Sequence, residues 1–503
     1  MKIFQNNAPI VELKSHILSE KSTLRKALDI INLNTPKIAL VCKNSGHLVR
    51  TITDGDIRRA LLGGLTLSVQ VNQLPEASPV TCQENIDTSE ALRLMNEKHV
   101  NIVVVCDSRN IPVGLIDRTA LQETILLSPP HMGGAEVGLV QQAFEDNWIA
   151  PAGPHLQSFE NSLAKMSSMR HCVALSSGTA AIHLALKALD LKKGTRVYVS
   201  DLTFVGSVQP VFYEDLEPVF IDSDPDTWNM SVSALKRQIA KDKSVEKKIG
   251  ALILVHLYGQ SADLRHILPI CQENGIPIIE DAAESLGAVY DGRPSGSHGL
   301  ISIYSFNGNK IITTSGGGAL LTNDETIAQK VRFLASQGRE ACEHYQHSSV
   351  AYNYRMSNIL ASVGLGQLTV LDKRVKARHN IFDTYMSSLS HFNGISFQKE
   401  YPNSLGNRWL SVIQLCPNVF NIHPYQVIRS LMELAIEARP GWKPLHMQPL
   451  CQGFDFSPHS SDEVASSKHF LQSICLPSGS SMSHDYQFRV IDSLTNNLQK
   501  GVR

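Results

Sequence analysis

The sequence predicts an α/β protein built on a mostly parallel sheet, with a small duplicated α/β unit in front of it. Three observations point there. Apolar runs of strand length alternate with helix-period segments between residues 172 and 306, and buried strands interleaved with helices imply a parallel sheet covered on both faces. The polar motifs of that region follow the apolar runs, at the strand ends where such sheets bind ligands. Within the first 126 residues, a helix–strand–turn–strand–helix pattern occurs twice with a period of about sixty residues.

The chain has 503 residues, which suggests roughly two to four domains. Its 43% hydrophobic and 18% charged content is that of a globular protein. A formal net charge of -1 leaves no basic excess to neutralise phosphates, so nucleic acid is excluded as the main partner. The 9 cysteines show no framework spacing, and an odd number suits reduced thiols in the cytoplasm. Residues 1–18 mix Lys2, Glu12, Lys14 and His16 among apolar ones, unlike a signal peptide, and no apolar stretch approaches a membrane span.

In the first unit, residues 1–126, a helix at 24–31 precedes an apolar strand at 38–42. The turn Lys43-Asn44-Ser45-Gly46 leads to a strand ending at Thr51-Ile52-Thr53, and a helix opens at Asp54. The second copy has a helix at 88–98, strands at 101–106 and 113–116, and a helix from Asp117. Pro129-Pro130 marks a linker, after which a helix is expected at 135–147. Strands are expected at 172–175, 197–200, 218–221, 251–256, 277–280 and 301–306, with helices at 180–189 and 262–274. This gives a large domain over 127–369 and a smaller mixed domain over 370–503, carrying a buried strand at 474–476.

The chemistry is organised around Ser302-Ile303-Tyr304-Ser305-Phe306-Asn307-Gly308-Asn309-Lys310, followed by Gly316-Gly317-Gly318. An apolar strand stops at a glycine-containing turn that presents one lysine, and glycine lets backbone approach a ligand closely. A lysine withdrawn from water loses its proton more readily and becomes a nucleophilic amine. Ser176-Ser177-Gly178-Thr179 ends another strand and opens a helix, whose free N–H groups suit a phosphate as well as an ordinary cap. Asp281 leaves a buried strand, where a carboxylate could hold a heteroaromatic nitrogen protonated or cap a helix. Phe204 follows a further strand and could stack on a flat ring or join the core. Together these are the functions that pyridoxal phosphate requires.

With those motifs in view, residues 127–503 resemble the DegT/DnrJ/EryC1/StrS family of pyridoxal-phosphate-dependent nucleotide-sugar aminotransferases. In wording they look most like the UDP-N-acetylbacillosamine type, through Ser128-Pro129-Pro130-His131-Met132-Gly133-Gly134 and the segment 304–318. The resemblance implies the aspartate-aminotransferase (type I) fold. It implies that Lys310 forms the Schiff base and shuttles protons, that Asp281 pairs with the pyridine nitrogen, and that Glu284 lies near the ring hydroxyl, where many relatives have histidine or glutamine. Phe204 takes the ring-stacking place, and Gly178, Thr179 and Ser305 take the phosphate positions. Asn353 matches a segment that reaches the phosphate of a second subunit, which implies a homodimer. A sugar-nucleotide cleft is expected from His131, Trp148, Arg408, Trp409, Arg439, Trp442, Lys443 and His446. The first unit resembles a pair of CBS repeats. Thr53 and Asp56 match the residues that hold the ribose of an adenine nucleotide, whereas Asp117 and Ala120 stand there in the second copy, so the pair either senses such a ligand or serves only as a scaffold that supports dimerisation.

The expected reaction is transamination from glutamate to carbon four of a nucleotide-linked keto-deoxysugar in the biosynthesis of a surface polysaccharide or glycoconjugate. A GDP- or dTDP-linked sugar, amination at carbon three, and a catalytically silent binding protein are the rival readings. Lys310 argues against a sugar dehydratase, whose members carry histidine there. Cys342-Glu343-His344-Tyr345-Gln346-His347 lacks a fourth ligand for zinc, so no metal is expected. Gly364-Leu365-Gly366 reads as helix packing, and Lys373-Arg374-Val375-Lys376-Ala377-Arg378 as a solvated helix face.

Overall fold

The computed structural model describes residues 13, 15–34, 36–75, 77–83, 86, 88–118 and 124–501, so Ala120 and most of the segment 1–18 lie outside the described residues. The chain divides into two compact units, Met1–Thr124 and Ile125–Arg503. Among the described residues no helix is long and apolar enough to cross a membrane.

In the first unit the duplication is present in three dimensions. The central strand Ala39–Cys42 pairs antiparallel with Leu48–Ile52 and parallel with Ile17–Ser19. Its counterpart Ile102–Cys106 pairs in the same two ways with Pro112–Asp117 and Thr81–Gln83. The three-residue strands Ile17–Ser19 and Thr81–Gln83 are too short for alternation to reveal them. The helix Leu24–Leu33 turns Leu24, Ala27 and Ile31 into the core, one face of a 3.6-residue period. Thr53 opens the helix Asp54–Leu62: its N–H and hydroxyl both donate to Asp56 Oδ2, at 2.8 and 2.7 Å.

The second unit is built on an eight-stranded sheet. In spatial order its strands are Phe456–Ser457, Glu217–Ile221, Arg196–Ser200, Ile249–Val255, Ile278–Asp281, Ile301–Ser305, Gly318–Thr322 and His171–Leu175. Only Gly318–Thr322 runs antiparallel to its neighbours. The six expected strands are present within one or two residues at each end. The helix Gly178–Ala188 lies on the sheet through Ala181, Leu184 and Ala185, which share a core with Val173, Val199, Ile253 and Ile303. A second, antiparallel sheet of Ile395–Phe397, Ser411–Leu415, Ser473–Leu476 and Arg439–Pro440 has its own core, to which Tyr385, Leu389, Val490 and Leu494 contribute.

Of two weighed motifs, one resolves as expected and the other does not. Gly364 and Gly366 pack inside the helix Asn358–Leu368, where an added Cβ would come within 2.5 Å of Phe159 and 2.8 Å of Glu136. The basic run is not a solvated face. In the helix Leu371–Leu389, Lys373 and Lys376 are exposed, but Arg374 and Arg378, four residues apart, are 8% and 1% exposed. Charge alone does not reveal which stripe of a helix is covered.

Candidate active site

Lys310 lies in the connection between the antiparallel partners Ile301–Ser305 and Gly318–Thr322. Phe306 N–H donates to Gly317 O at 2.9 Å and Thr314 N–H to Phe306 O at 3.0 Å, closing that connection into a compact turn. The side chain enters a cavity of roughly 330 Å³ whose walls include Ser177, Gly178, Thr179, Phe204, Asp281, Glu284 and Ser305. These residues follow or close four different strands of the sheet, so the fold itself gathers them.

The amine stands 3.7 Å from Glu284 Oε1 and 4.0 Å from the centroid of the Trp409 ring, with 12% of its side chain exposed. Burial lowers the Lys310 pKa below the ordinary lysine value, and the nearby charges of Glu284 and Asp281 offset only part of that. Burial also pushes the Glu284 carboxyl up to about 7, although Lys310 and the Tyr258 N–H, which donates to Oε2 at 2.7 Å, favour its ionised form. Attraction within the pair would move both groups the other way, so desolvation dominates at this site.

Asp281 is 5% exposed. Ser207 Oγ donates to its Oδ2 at 2.6 Å and Ala283 N–H to its Oδ1 at 3.2 Å. Ser207 is itself within 2.6 Å of Thr203 Oγ1, so the carboxylate is held at a fixed angle. Across the cavity, Ser177 caps the helix Gly178–Ala188 by accepting from Ala180 N–H at 3.0 Å. The first N–H groups of a helix have no carbonyl one turn back, so they remain available to an anion. A Cβ on Gly178 would come within 3.2 Å of Ser305 Cβ, and one on Gly206 within 2.9 Å of Thr179 Oγ1. Phe204 is 56% exposed on the cavity wall, its ring 5.7 Å from that of Trp442.

Of the residues expected around a substrate, Trp409 and Trp442 line this cavity. Trp409 is 1% exposed and turns its ring to Lys310. Arg408, with φ 53°, turns the other way: it pairs with Glu400 at 3.2 Å and covers the Phe382 ring at 3.8 Å. Both ring nitrogens of His131 are engaged, with Ser480 Oγ at 3.1 Å and Arg374 at 2.9 Å. His446 is fixed by Asp201, 2.7 Å from its Nδ1, and stacks on Phe456. Arg439 pairs with Glu437 at 2.9 Å; Trp148 is half exposed, and Lys443 is partly buried beside Trp442 in sequence. Asn353 is exposed, bridges Ser336 in a β-type pair, and does not line the cavity of its own chain.

Sequence reasoning missed Ser207, Thr203 and Tyr258. Nothing in the sequence marks the first two, whose spacing only becomes meaningful once the turn after Ser200 is folded. Tyr258 had a signal in the Tyr-Gly pair: both residues adopt positive φ, 55° and 96°, which aims the Tyr258 N–H at Glu284.

The pyridoxal phosphate implied by the resemblance fits these residues. The glycine cradle at Gly178 leaves room that a side chain would fill, a helix N-terminus faces it, and a fixed carboxylate and a buried amine open into the same space.

Comparison with known proteins agrees with this geometry. The model of the DegT/DnrJ/EryC1/StrS aminotransferase family matches residues 130–495, and the CBS domain model matches residues 71–126. The chain is 50% identical over 374 residues to the putative pyridoxal phosphate-dependent aminotransferase EpsN of Bacillus subtilis, covering 74% of this chain and 96% of that protein. It is 36% identical to the GDP-perosamine synthase of Caulobacter vibrioides over 65% of this chain and 86% of that one. Among solved structures, a DegT DnrJ EryC1 StrS aminotransferase from Brucella abortus superposes with a TM-score of 0.67 at 26% identity, covering 72% of this chain and 95% of the other. The aminotransferase TlmJ from Streptoalloteichus hindustanus gives 0.68 at 25% identity, over 75% and 100%.

Proposed function

We propose, from the premise that this chain belongs to the DegT/DnrJ/EryC1/StrS aminotransferase family, that it moves the amino group of glutamate to carbon four of a UDP-linked 4-keto-6-deoxy sugar, UDP-2-acetamido-2,6-dideoxy-hexos-4-ulose. The chain is a pyridoxal-phosphate-dependent sugar aminotransferase with a CBS domain. The observation that carries the catalytic reading is that Lys310 and Asp281, far apart in sequence, open into one cavity. The UDP-linked sugar is favoured by the wording of the segments 128–134 and 304–318. A GDP-linked sugar is the second reading, favoured by the relatives named GDP-perosamine synthase.

Bound in this cavity, pyridoxal phosphate supplies the electron sink for the bond broken at the amino-bearing carbon. Asp281, fixed by Ser207, is the carboxylate that would keep a ring nitrogen protonated. The helix start at Gly178, with the hydroxyls of Thr179 and Ser305, would hold the phosphate, and Phe204 would cover the ring face. Lys310 Nζ takes a proton from one carbon and returns it to another, and its burial shifts the amine toward its neutral form. Glu284 Oε1, 3.7 Å away, can hold the proton in between. Asn353 would serve the phosphate of a second copy, making a homodimer the working unit. The CBS repeats would take an adenine nucleotide through Thr53 and Asp56.

Adding pyridoxal phosphate to the purified protein should give an absorbance band that Lys310→Ala loses together with turnover. Retention of the band by that variant would overturn the role of Lys310. Keto-sugars linked to UDP, GDP and dTDP, incubated with glutamate and read by mass spectrometry, decide the substrate.

A further inference from the structure

Arg378 belongs to none of the groups above, yet it ends in the wall behind Lys310. One guanidinium nitrogen donates to Trp409 O at 2.5 Å and another to Ser128 Oγ at 2.8 Å. Ser128 then uses its single hydroxyl proton on Asn309 O at 2.6 Å, and Trp409 Nε1–H donates to the same oxygen at 2.7 Å. The four residues form a closed circuit whose meeting point is the carbonyl of the residue before Lys310. Its members come from four separate stretches of the chain; Arg378 and Trp409 are 1% exposed and Ser128 7%, while Asn309 is exposed.

We propose that Arg378 is a positioning residue for Lys310: through Ser128 and Trp409 it fixes the Asn309 carbonyl, and so the turn from which the Lys310 amine reaches the cavity. The inference rests on the reading of Lys310 as the residue that carries the cofactor.

Two further observations support it. Among the described residues no carboxylate pairs with Arg378, and its Nε has no hydrogen-bond partner. A cation buried without an anion opposes folding, and an apolar side chain would secure a helix at least as well. What the guanidinium adds is direction, two donors at a fixed angle. The second observation is the Trp409 ring. Its carbonyl is held by Arg378 and its indole N–H by Asn309, so its face is fixed where the Lys310 amine lies, 4.0 Å from the centroid. The circuit therefore sets both the peptide before Lys310 and the surface against which its amine rests.

The test uses Ser128→Ala, Trp409→Phe and Arg378→Lys in the full chain, with Arg374→Lys as the control. Arg374 is buried one turn away on the same helix but bonds His131 and Met132 instead. The pH dependence of Lys310 acetylation in cofactor-free protein is read by mass spectrometry, beside melting temperature, visible circular dichroism of the loaded protein, kcat and KM. Opening the circuit lets water reach the amine, so the acetylation midpoint should rise in the three variants and stay put in the control. The circular dichroism per bound cofactor should fall, and kcat should fall on the order of 10- to 100-fold, with KM for the sugar little changed in Ser128→Ala and Arg378→Lys, whose side chains do not line the cavity. If Ser128→Ala and Trp409→Phe fold with an unchanged midpoint and lose only melting temperature, Arg378 is a structural clamp and the proposal is wrong. Those two variants decide the matter if Arg378→Lys does not fold. Retention of the absorbance band by Lys310→Ala is a separate result, and it would remove the underlying reading instead.

Discussion

The amine of Lys310 and the carboxyl of Glu284 face each other at 3.7 Å in a space dry enough to oppose the charge on both. Such a pair can pass a proton between its members, because burial disfavours the charge on each. A histidine or glutamine in place of Glu284 would hydrogen-bond a ring hydroxyl equally well, but glutamine could not take the proton.

Replacing Glu284 by Gln should change how stability depends on pH. The carboxyl titrates near 7 in the folded protein against 4.5 ordinarily, so the folded state binds its proton more tightly. Its ionisation therefore removes stability as pH rises through that window, by about 3 kcal/mol in full. In cofactor-free protein, the melting temperature of Glu284→Gln relative to the parent should climb between pH 5 and pH 8. Parallel curves would show that Glu284 titrates normally.

Ser207→Ala tests how Asp281 is held. It removes a 2.6 Å hydrogen bond to the carboxylate and leaves the charge in place. The loss should be about 1.5–3 kcal/mol in cofactor affinity or transition-state stabilisation. Asp281→Asn removes the charge itself and should lower kcat by about 100-fold or more. Equal activity of Ser207→Ala and the parent would mean that Ala283 N–H alone orients Asp281.

Two glycines separate packing from binding. A Cβ on Gly318 would clash with the backbone of Ser177 and Gly178, which cannot step aside, so Gly318→Ala should destabilise the second unit by roughly 3 kcal/mol. Gly178→Ala meets the Ser305 side chain at 3.2 Å and the Tyr304 carbonyl at an ordinary 3.7 Å, and should melt close to the parent while binding pyridoxal phosphate more weakly. Thermal melts with and without cofactor distinguish the two. The reverse ranking would place the phosphate elsewhere.

Much of this architecture was legible because strand ends carry their chemistry in contiguous motifs. Lys310, Asp281 and Gly178 each stand beside an apolar run that dictates where they emerge. Residues that reach the site from the small sheet were harder to read. Arg408 and Trp409 are neighbours in sequence, yet the positive φ at Arg408 helps send one to Glu400 and the other to Lys310. Arg378 looked like part of a charged surface because the chain that covers it, at Ser128 and Trp409, is remote in sequence. Phe456–Ser457 is a two-residue edge strand, below the length at which any period shows.

In the first unit, both Asp56 oxygens are already engaged, Oδ2 by Thr53 and Oδ1 by Arg59 at 2.6 Å. A ribose must compete with these bonds. Thr53→Ala should cost about 1 kcal/mol as a lost helix cap. ATP or AMP should raise the melting temperature of the parent and leave that of Asp56→Ala unmoved. No shift with either nucleotide would favour a scaffold.

Glu280, the residue before Asp281, should govern acid stability. It is fully buried and accepts from His256 Nε2 at 2.9 Å, Gly296 N–H at 3.1 Å, His298 N–H at 2.6 Å, and Gly299 N–H. His256 Nδ1 accepts from Ala262 N–H, so Nε2 carries the proton given to Glu280. Burial opposes the ionised carboxylate, but the hydrogen bond from the His256 ring and the backbone N–H donors around it outweigh that and hold its pKa well below the usual range. The stabilisation is therefore complete above about 4.5, the ordinary carboxylate value, and is lost as pH falls below it. Glu280→Gln should cost about 3–5 kcal/mol at neutral pH, since it leaves several donors facing a weaker acceptor. It should also flatten the acid limb of the urea-midpoint curve. If its midpoint instead falls with acid as steeply as the parent's, another carboxylate carries the acid transition.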